Sequence, residues 1–234
     1  MPSLQSYGNA ALKLHENGYI PIPIIPATKR PSIKNWSSIK NDYAQIEKLS
    51  LEYPHAGVGV LLNDLIVFDI DILDDKQSLL IRDIIIRELG DTIERIGKFP
   101  KRALFYRRSG DEFRKKSTKI FNLEKGKAPW EVLASVTQCI IFGTHPETKQ
   151  SYQWIDESPL EVHSEDLPCV TLKQVKNIIT QSETLLQNHV VQKEVKISTI
   201  KTSINEHKRE EGIKDIPLVR LSLIHISEPT RLAT

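Results

Sequence analysis

The chain has 234 residues, 39% of them hydrophobic and 26% charged, with a net charge of +2. Those values suit one folded domain of good size with some tail, and they exclude a low-complexity or fibrous chain. No apolar run is long enough to span a bilayer, no signal-peptide pattern opens the chain, and its two cysteines lack metal-type spacing, so a membrane protein and a disulfide scaffold are set aside and a reduced, cytoplasmic setting is expected.

Ser3 stands where it could cap a first helix, with Leu4, Tyr7, Ala11 and Leu14 at helical spacing and Gly18 as its stop. Tyr19 to Ile25 reads as a short strand punctuated by Pro21 and Pro23. The loop Ala27 to Trp36 follows, with cations at Lys29, Arg30 and Lys34. Asn41 or Asp42 opens a second helix that runs to about Tyr53 and stops at Pro54.

Val58 to Ile72, VGVLLNDLIVFDIDI, is two apolar runs joined at Asn63-Asp64, which reads as a hairpin. In a strand, residues two apart share a face, so Asp69 and Asp71 bring two carboxylates together at the end of a core strand. Like charges buried side by side need neutralising, and a divalent cation does so directly. The other reading puts both in solvent, ahead of the next helix.

Asp74 or Asp75 caps that helix, Lys76 to Leu89, with Leu80, Ile81, Ile84, Ile85 and Leu89 as the buried stripe and Gly90 as the stop. Short strands are expected at Glu94 to Ile96, Arg102 to Tyr106 and Ser117 to Leu123. Trp130 to Ala134 and Gln138 to Phe142 read as a further hairpin turning at residues 135–137. Tyr152 to Trp154 is a last short strand. Thr171 caps a helix over Leu172 to Leu186.

Between Lys98 and Lys127 stand eleven Lys or Arg against three acids. A basic segment beside an acidic motif points to a polyanionic partner; a solvated charged face is the plainer alternative. Domain boundaries are expected at residues 1–186 for the folded domain and 187–220 for a polar linker or loose helix. Residues 221–234, beginning LSLIHISEPTR, look like the translation of a sequencing adapter, so the natural chain is expected to differ there.

VFDID, then WEVLA with Glu131, then FGTHPETKQSYQW resemble, in that order, the archaeo-eukaryotic primase superfamily. Within it the resemblance is to the bifunctional primase-polymerase domains of phages and plasmids. NGYIPIPI, Lys29, Pro31, Trp36 and GVGV fit as well, so the likeness covers about Tyr7 to Pro168. It implies an α/β (α+β) fold in which helices flank a mixed or antiparallel central sheet and two lobes surround a metal site. It implies DNA primase or DNA polymerase activity, template-directed nucleotidyl transfer in which Asp69, Asp71 and Glu131 hold two Mg²⁺ or Mn²⁺ ions. Its partners would be a single-stranded DNA template or primer, nucleoside triphosphates, and a fused or separate helicase module. The host would be bacterial or archaeal, with a phage or plasmid gene as one source.

The family usually places a phosphate-contacting histidine on the strand between the acidic motifs. Here that stretch is KFPKRALFYRR, Lys98 to Arg108, without a histidine. Lys101, Arg102 or Arg107 is the expected replacement, since a guanidinium fork matches phosphate oxygens. His145, in a turn that recurs in the family near the nucleotide, and Lys29 complete the nucleotide-binding candidates. Tyr152 and Trp154 are expected in the core, and His15, His55 and His163 to be structural or exposed. Two other functions compete. One is a replication module that binds DNA without polymerising. The other is a haloacid-dehalogenase-like phosphatase, suggested by VFDIDILDD, although Leu73 stands where that family has Thr or Val.

Overall fold

The computed structural model describes residues 5–110, 112–119, 121–123, 126–128 and 130–187. In chain order its elements are α1 (Tyr7–Glu16), β1 (Pro21–Ile24), α2 (Tyr43–Glu52), β2 (Gly57–Leu61), β3 (Leu65–Ile70), α3 (Asp75–Leu89), β4 (Glu94–Ile96) and β5 (Arg102–Arg108). Then come β6 (Lys116–Ser117), β7 (Phe121–Leu123), β8 (Gly126–Ala128), β9 (Trp130–Leu133), β10 (Gln138–Phe142), β11 (Gln153–Trp154) and β12 (Cys169–Val170). A fourth helix, α4, covers residues 172–187. All of these elements lie in one compact unit, Met1–Val191. The expected linker and adapter-like tail lie outside the described residues, apart from residue 187.

Helix starts follow their caps. Asp42 accepts from Gln45 N–H at 2.8 Å and Asp74 from Gln77 N–H at 3.2 Å. Thr171 and Gln174 cap α4 reciprocally, each side chain accepting from the other's backbone N–H. The first helix begins after Ser6, whose side chain makes no capping bond, and Ser3 lies outside the described residues. Replacing Asp42 with alanine should cost about 1 kcal/mol, read as a lower urea midpoint at unchanged slope.

Neither expected hairpin forms. β2 is the middle strand of a three-stranded sheet, between β1 and β10. β3 lies in a seven-stranded sheet ordered β11-β4-β5-β3-β9-β6, with β12 parallel to β5. A strand has two edges, and those of β3 are taken by β5 and β9, so β2 cannot pair with it. The links at Asn63-Asp64 and at residues 135–137 instead both cross from one sheet to the other. They run side by side: Leu62 N–H donates to the Thr137 carbonyl at 2.9 Å, and Ser135 Oγ to the Asn63 carbonyl at 3.4 Å. The expected strand Ser117 to Leu123 also divides, into β6 of the large sheet and β7, which pairs with β8.

The two faces of the large sheet have different coverings. Ile66, Phe68, Ile70, Leu104, Tyr106, Trp130 and Val132 form one core with Ile81 and Ile85 of α3 and Val175 and Ile178 of α4. Leu65, Val67, Ala103 and Phe105, on the other face, join a core with α1 and residues of the small sheet. In α3, Leu80 is 38% exposed and not part of the stripe. Ser78 takes the buried position instead, because its hydroxyl donates to the Pro100 carbonyl at 2.8 Å.

Candidate active site

Strand β3 leaves the core one side chain at a time. On the face turned to the small sheet, Leu65 and Val67 are buried, Asp69 follows half-buried, and Asp71 stands just past the strand's end. The expected sharing of one face by the two acids follows from that period of two.

Register brings the third acid alongside. Asp69 pairs with Glu131 on β9 and with Ala103 on β5. Ala103 pairs with Arg95 on β4, and Ser117 on β6 with Glu131. Directly paired residues point to one face, so Ser117, Glu131, Asp69, Ala103 and Arg95 make one row across five strands. Ala103, with the smallest side chain in that row beside the acid, leaves space between Asp69 and the long Arg95.

A cavity of about 160 Å³ lies at the Asp69 and Arg95 end of this row; Glu131 is not part of its lining. Asp69, Asp71 and Arg95 line it from the large sheet, Gln138, Cys139 and Ile140 from β10, and Lys29, Lys98, Lys101, His145 and Tyr152 from loops. Arg95 is 8% exposed, lies 4.6 Å over the Tyr152 ring, donates to the Ile140 carbonyl, and keeps a buried Nε without a partner. The sequence reading missed it. Glu94-Arg95-Ile96 has two adjacent charges and no periodicity that marks either as buried; only the register shows that Arg95 faces Asp69's side.

The carboxyl of Asp69 is held above its ordinary pKa by burial first. Arg95 opposes that shift, Asp71 adds to it, Lys29 opposes it and Glu131 adds to it. Asp69 makes no hydrogen bond or ion pair with the described residues. Asp71 Oδ1 is 3.2 Å from Lys101 Nζ, and Glu131 Oε2 is 2.5 Å from Lys115 Nζ. With two of the three acids held by lysines, no three His, Cys, Asp or Glu among the described residues converge as a ready ion site. The set nonetheless fits a hard cation. It has oxygen donors only, two of them opposite each other in register, and the half-buried carboxylate of Asp69 has no donor of its own among the described residues.

The nucleotide-binding candidates separate. Lys29, Lys101 and His145 line the cavity. His145 is 6% exposed, and its Nδ1 accepts from the backbone N–H groups of Glu147 and Thr148, which leaves the ring proton on Nε2. Burial first, then Lys29, lower its pKa, so it is neutral near pH 7. Arg102 borders the cavity, but its guanidinium is on the α3 face. There it pairs with Glu94 at 2.5 Å and donates to Ser78 Oγ at 3.2 Å. Arg107 lies four residues along β5 from Ala103 and lines a separate hollow with Asn63, Asp64 and His163. Trp154 packs on Phe105 and Phe142 as expected of a core residue, whereas Tyr152 is both buried and part of the cavity wall. His15 bonds Asn41, His163 caps a short turn, and His55 is exposed.

Gly97 fits where a side chain cannot. A Cβ there would stand 2.6 Å from Tyr152 Cε1 and 3.0 Å from His145 Cδ2. Gly97→Ala should therefore shift both rings, with about 1–3 kcal/mol lost in stability, measured by denaturant unfolding.

A family model described as the N-terminal domain of bifunctional DNA primase/polymerases, Prim-Pol, matches residues 11–168. The chain belongs to the Prim-Pol family. The match takes in all three acids and every strand up to β11, and it sets the phosphatase reading aside. The Prim-Pol domain is a mixed α/β fold with largely antiparallel sheets, as the resemblance implied. Its family supports a function of the DNA primase/polymerase type and, in general, the use of divalent metals. No helix among the described residues is long and apolar enough to cross a membrane. A search of curated proteins finds no match.

Proposed function

We propose that this Prim-Pol domain transfers nucleotidyl groups to a primer or starting nucleotide on a single-stranded DNA template. The observation that carries the reading is Asp69, Asp71 and Arg95 in a cavity rimmed by Lys29, Lys98 and Lys101, with Glu131 opposite Asp69 in register beside it. Acids for ions and cations for phosphates are what phosphoryl transfer asks of a protein, since its catalysis is mostly positioning and charge stabilisation.

Asp69, Asp71 and Glu131 would hold two Mg²⁺ or Mn²⁺ ions, which when bound would polarise the phosphate and lower the pKa of the attacking hydroxyl. The residues of the chain do the rest. Burial makes Asp69 a costly charge by itself, which favours cation binding there. Lys29, Lys98 and Lys101 supply mobile positive charge for a triphosphate. His145, neutral and with its proton on Nε2, offers a hydrogen bond without adding charge. Arg95 stands on the strand beyond Ala103, in the place a phosphate contact from β5 would serve, and takes over the role expected of Arg102 or Arg107. At about 160 Å³ the cavity is smaller than the roughly 300 Å³ at which drug-sized pockets begin, so it suits the triphosphate end and leaves base and sugar at its mouth.

The test is incorporation of labelled nucleotides by the full chain on a single-stranded template with Mg²⁺ or Mn²⁺. Incorporation that follows the template supports the reading. Oligonucleotide binding with no incorporation under either ion would favour a module that binds DNA without polymerising.

A further inference from the structure

We propose that Lys115 is a gate on the third acid: its ammonium holds Glu131 until a phosphodiester of a single-stranded nucleic acid takes it, so nucleic-acid binding and divalent-ion binding assist each other. The inference rests on Asp69, Asp71 and Glu131 being the ion-holding set.

Register puts Glu131 directly opposite Asp69, yet no three acids among the described residues come together as an ion-holding group. Both oxygens of Glu131 are engaged from the β6 side. Oε2 is 2.5 Å from Lys115 Nζ, and Oε1 accepts from Ser117 Oγ at 3.3 Å. Lys115 lies just ahead of β6, two residues before Ser117, the register partner of Glu131, and its ammonium reaches the same carboxylate. The pair is reachable from outside: the side chains of Lys115 and Glu131 are 43% and 34% exposed, and Arg114 and Lys119 beside them are exposed too.

An exposed pair of this kind is weak, so competing partners can exchange it. A divalent ion competes with Lys115 for Glu131, and a phosphate competes with Glu131 for Lys115. Each removes the obstacle to the other. Lysine suits the task because a compact charge on a four-carbon stem can swing from carboxylate to phosphate without moving the strand. Linkage then requires the coupling to be the same from either side.

The experiment measures anisotropy of a labelled single-stranded oligonucleotide with the full chain at constant ionic strength, with and without Mn²⁺. Mn²⁺ binding alone is followed by electron paramagnetic resonance. In the wild type, Mn²⁺ should tighten oligonucleotide binding about 5-fold. In Lys115→Met the factor should fall below about 2, Mn²⁺ should bind more tightly than to wild type without oligonucleotide, and the salt slope should drop by about 1. Lys115→Arg should keep the coupling. Wild-type coupling and wild-type Mn²⁺ affinity in Lys115→Met would overturn the gate. If Asp69→Asn binds Mn²⁺ like the wild type, the ion site itself is wrong; if Asp69→Asn loses Mn²⁺ while Lys115→Met behaves as wild type, only the gate is.

Discussion

Asp69→Asn is expected to lower nucleotide incorporation at least about a thousandfold while the protein stays folded. A thousandfold corresponds to about 4 kcal/mol of transition-state stabilisation, the scale on which one well-placed electrostatic group acts. The fold should tolerate the change because Asp69 makes no hydrogen bond or ion pair with the described residues, and its charge is disfavoured by burial and by Asp71. Asparagine keeps the shape and removes the charge. Thermal unfolding separates this loss from misfolding. Without divalent ions the variant should melt no lower than wild type. With Mn²⁺ at about a hundred times its dissociation constant, the wild type should gain about 2.7 kcal/mol and the variant little. For a domain of this size that is a shift of roughly 5–10 °C. Equal Mn²⁺ shifts in both proteins would remove Asp69 from the ion site.

The largest loss of stability should come from the α3 face of the same sheet. Glu94 is 4% exposed and accepts from two arginines: Arg102, itself 7% exposed, at 2.5 Å, and Arg82 at 2.7 Å. Glu94→Ala leaves the Arg102 guanidinium buried without its counter-charge. Breaking a buried pair from one side costs about 3–5 kcal/mol, so the melting temperature should fall by on the order of 10 °C. Replacing Glu94 and Arg102 together by methionine should recover part of that loss, because no charge is then stranded. Arg102→Met also decides between two roles. A strut between strand and helix lowers stability and leaves the nucleotide KM within about twofold, whereas a phosphate contact would raise KM about tenfold. The geometry favours the strut, since Ser78 and Pro100 take up Nε of the same guanidinium.

These two outcomes mark where reading residues one by one succeeds and where it stops. Asp69 and Asp71 were legible because a period of two is a local property, and nothing further along the chain alters which face they share. Arg102 and Arg107 were attractive as phosphate contacts because they sit in a basic stretch. A stretch, however, does not say which face each side chain takes. In β5 the even positions face α3, which takes Arg102 to Glu94, and the distance along the strand takes Arg107 to another hollow. Arg95 carried no local sign, being one charge beside another in a three-residue strand.

By itself the sequence determined the helix starts at Asn41 or Asp42, at Asp74 or Asp75 and at Thr171, the β propensity of the runs around Asn63-Asp64, the two acids at the end of one of them, and the family likeness that names Glu131. Each depends on neighbours a few positions away or on the order of motifs. Only the tertiary structure decided that successive strands go to different sheets, that Glu131 lies opposite Asp69, and that Arg95 completes the row while Lys115 holds its third acid. The reason is that a strand's partners are chosen by which edges and faces the whole chain leaves open. Turn residues report that a run ends, not which strand it will lie beside.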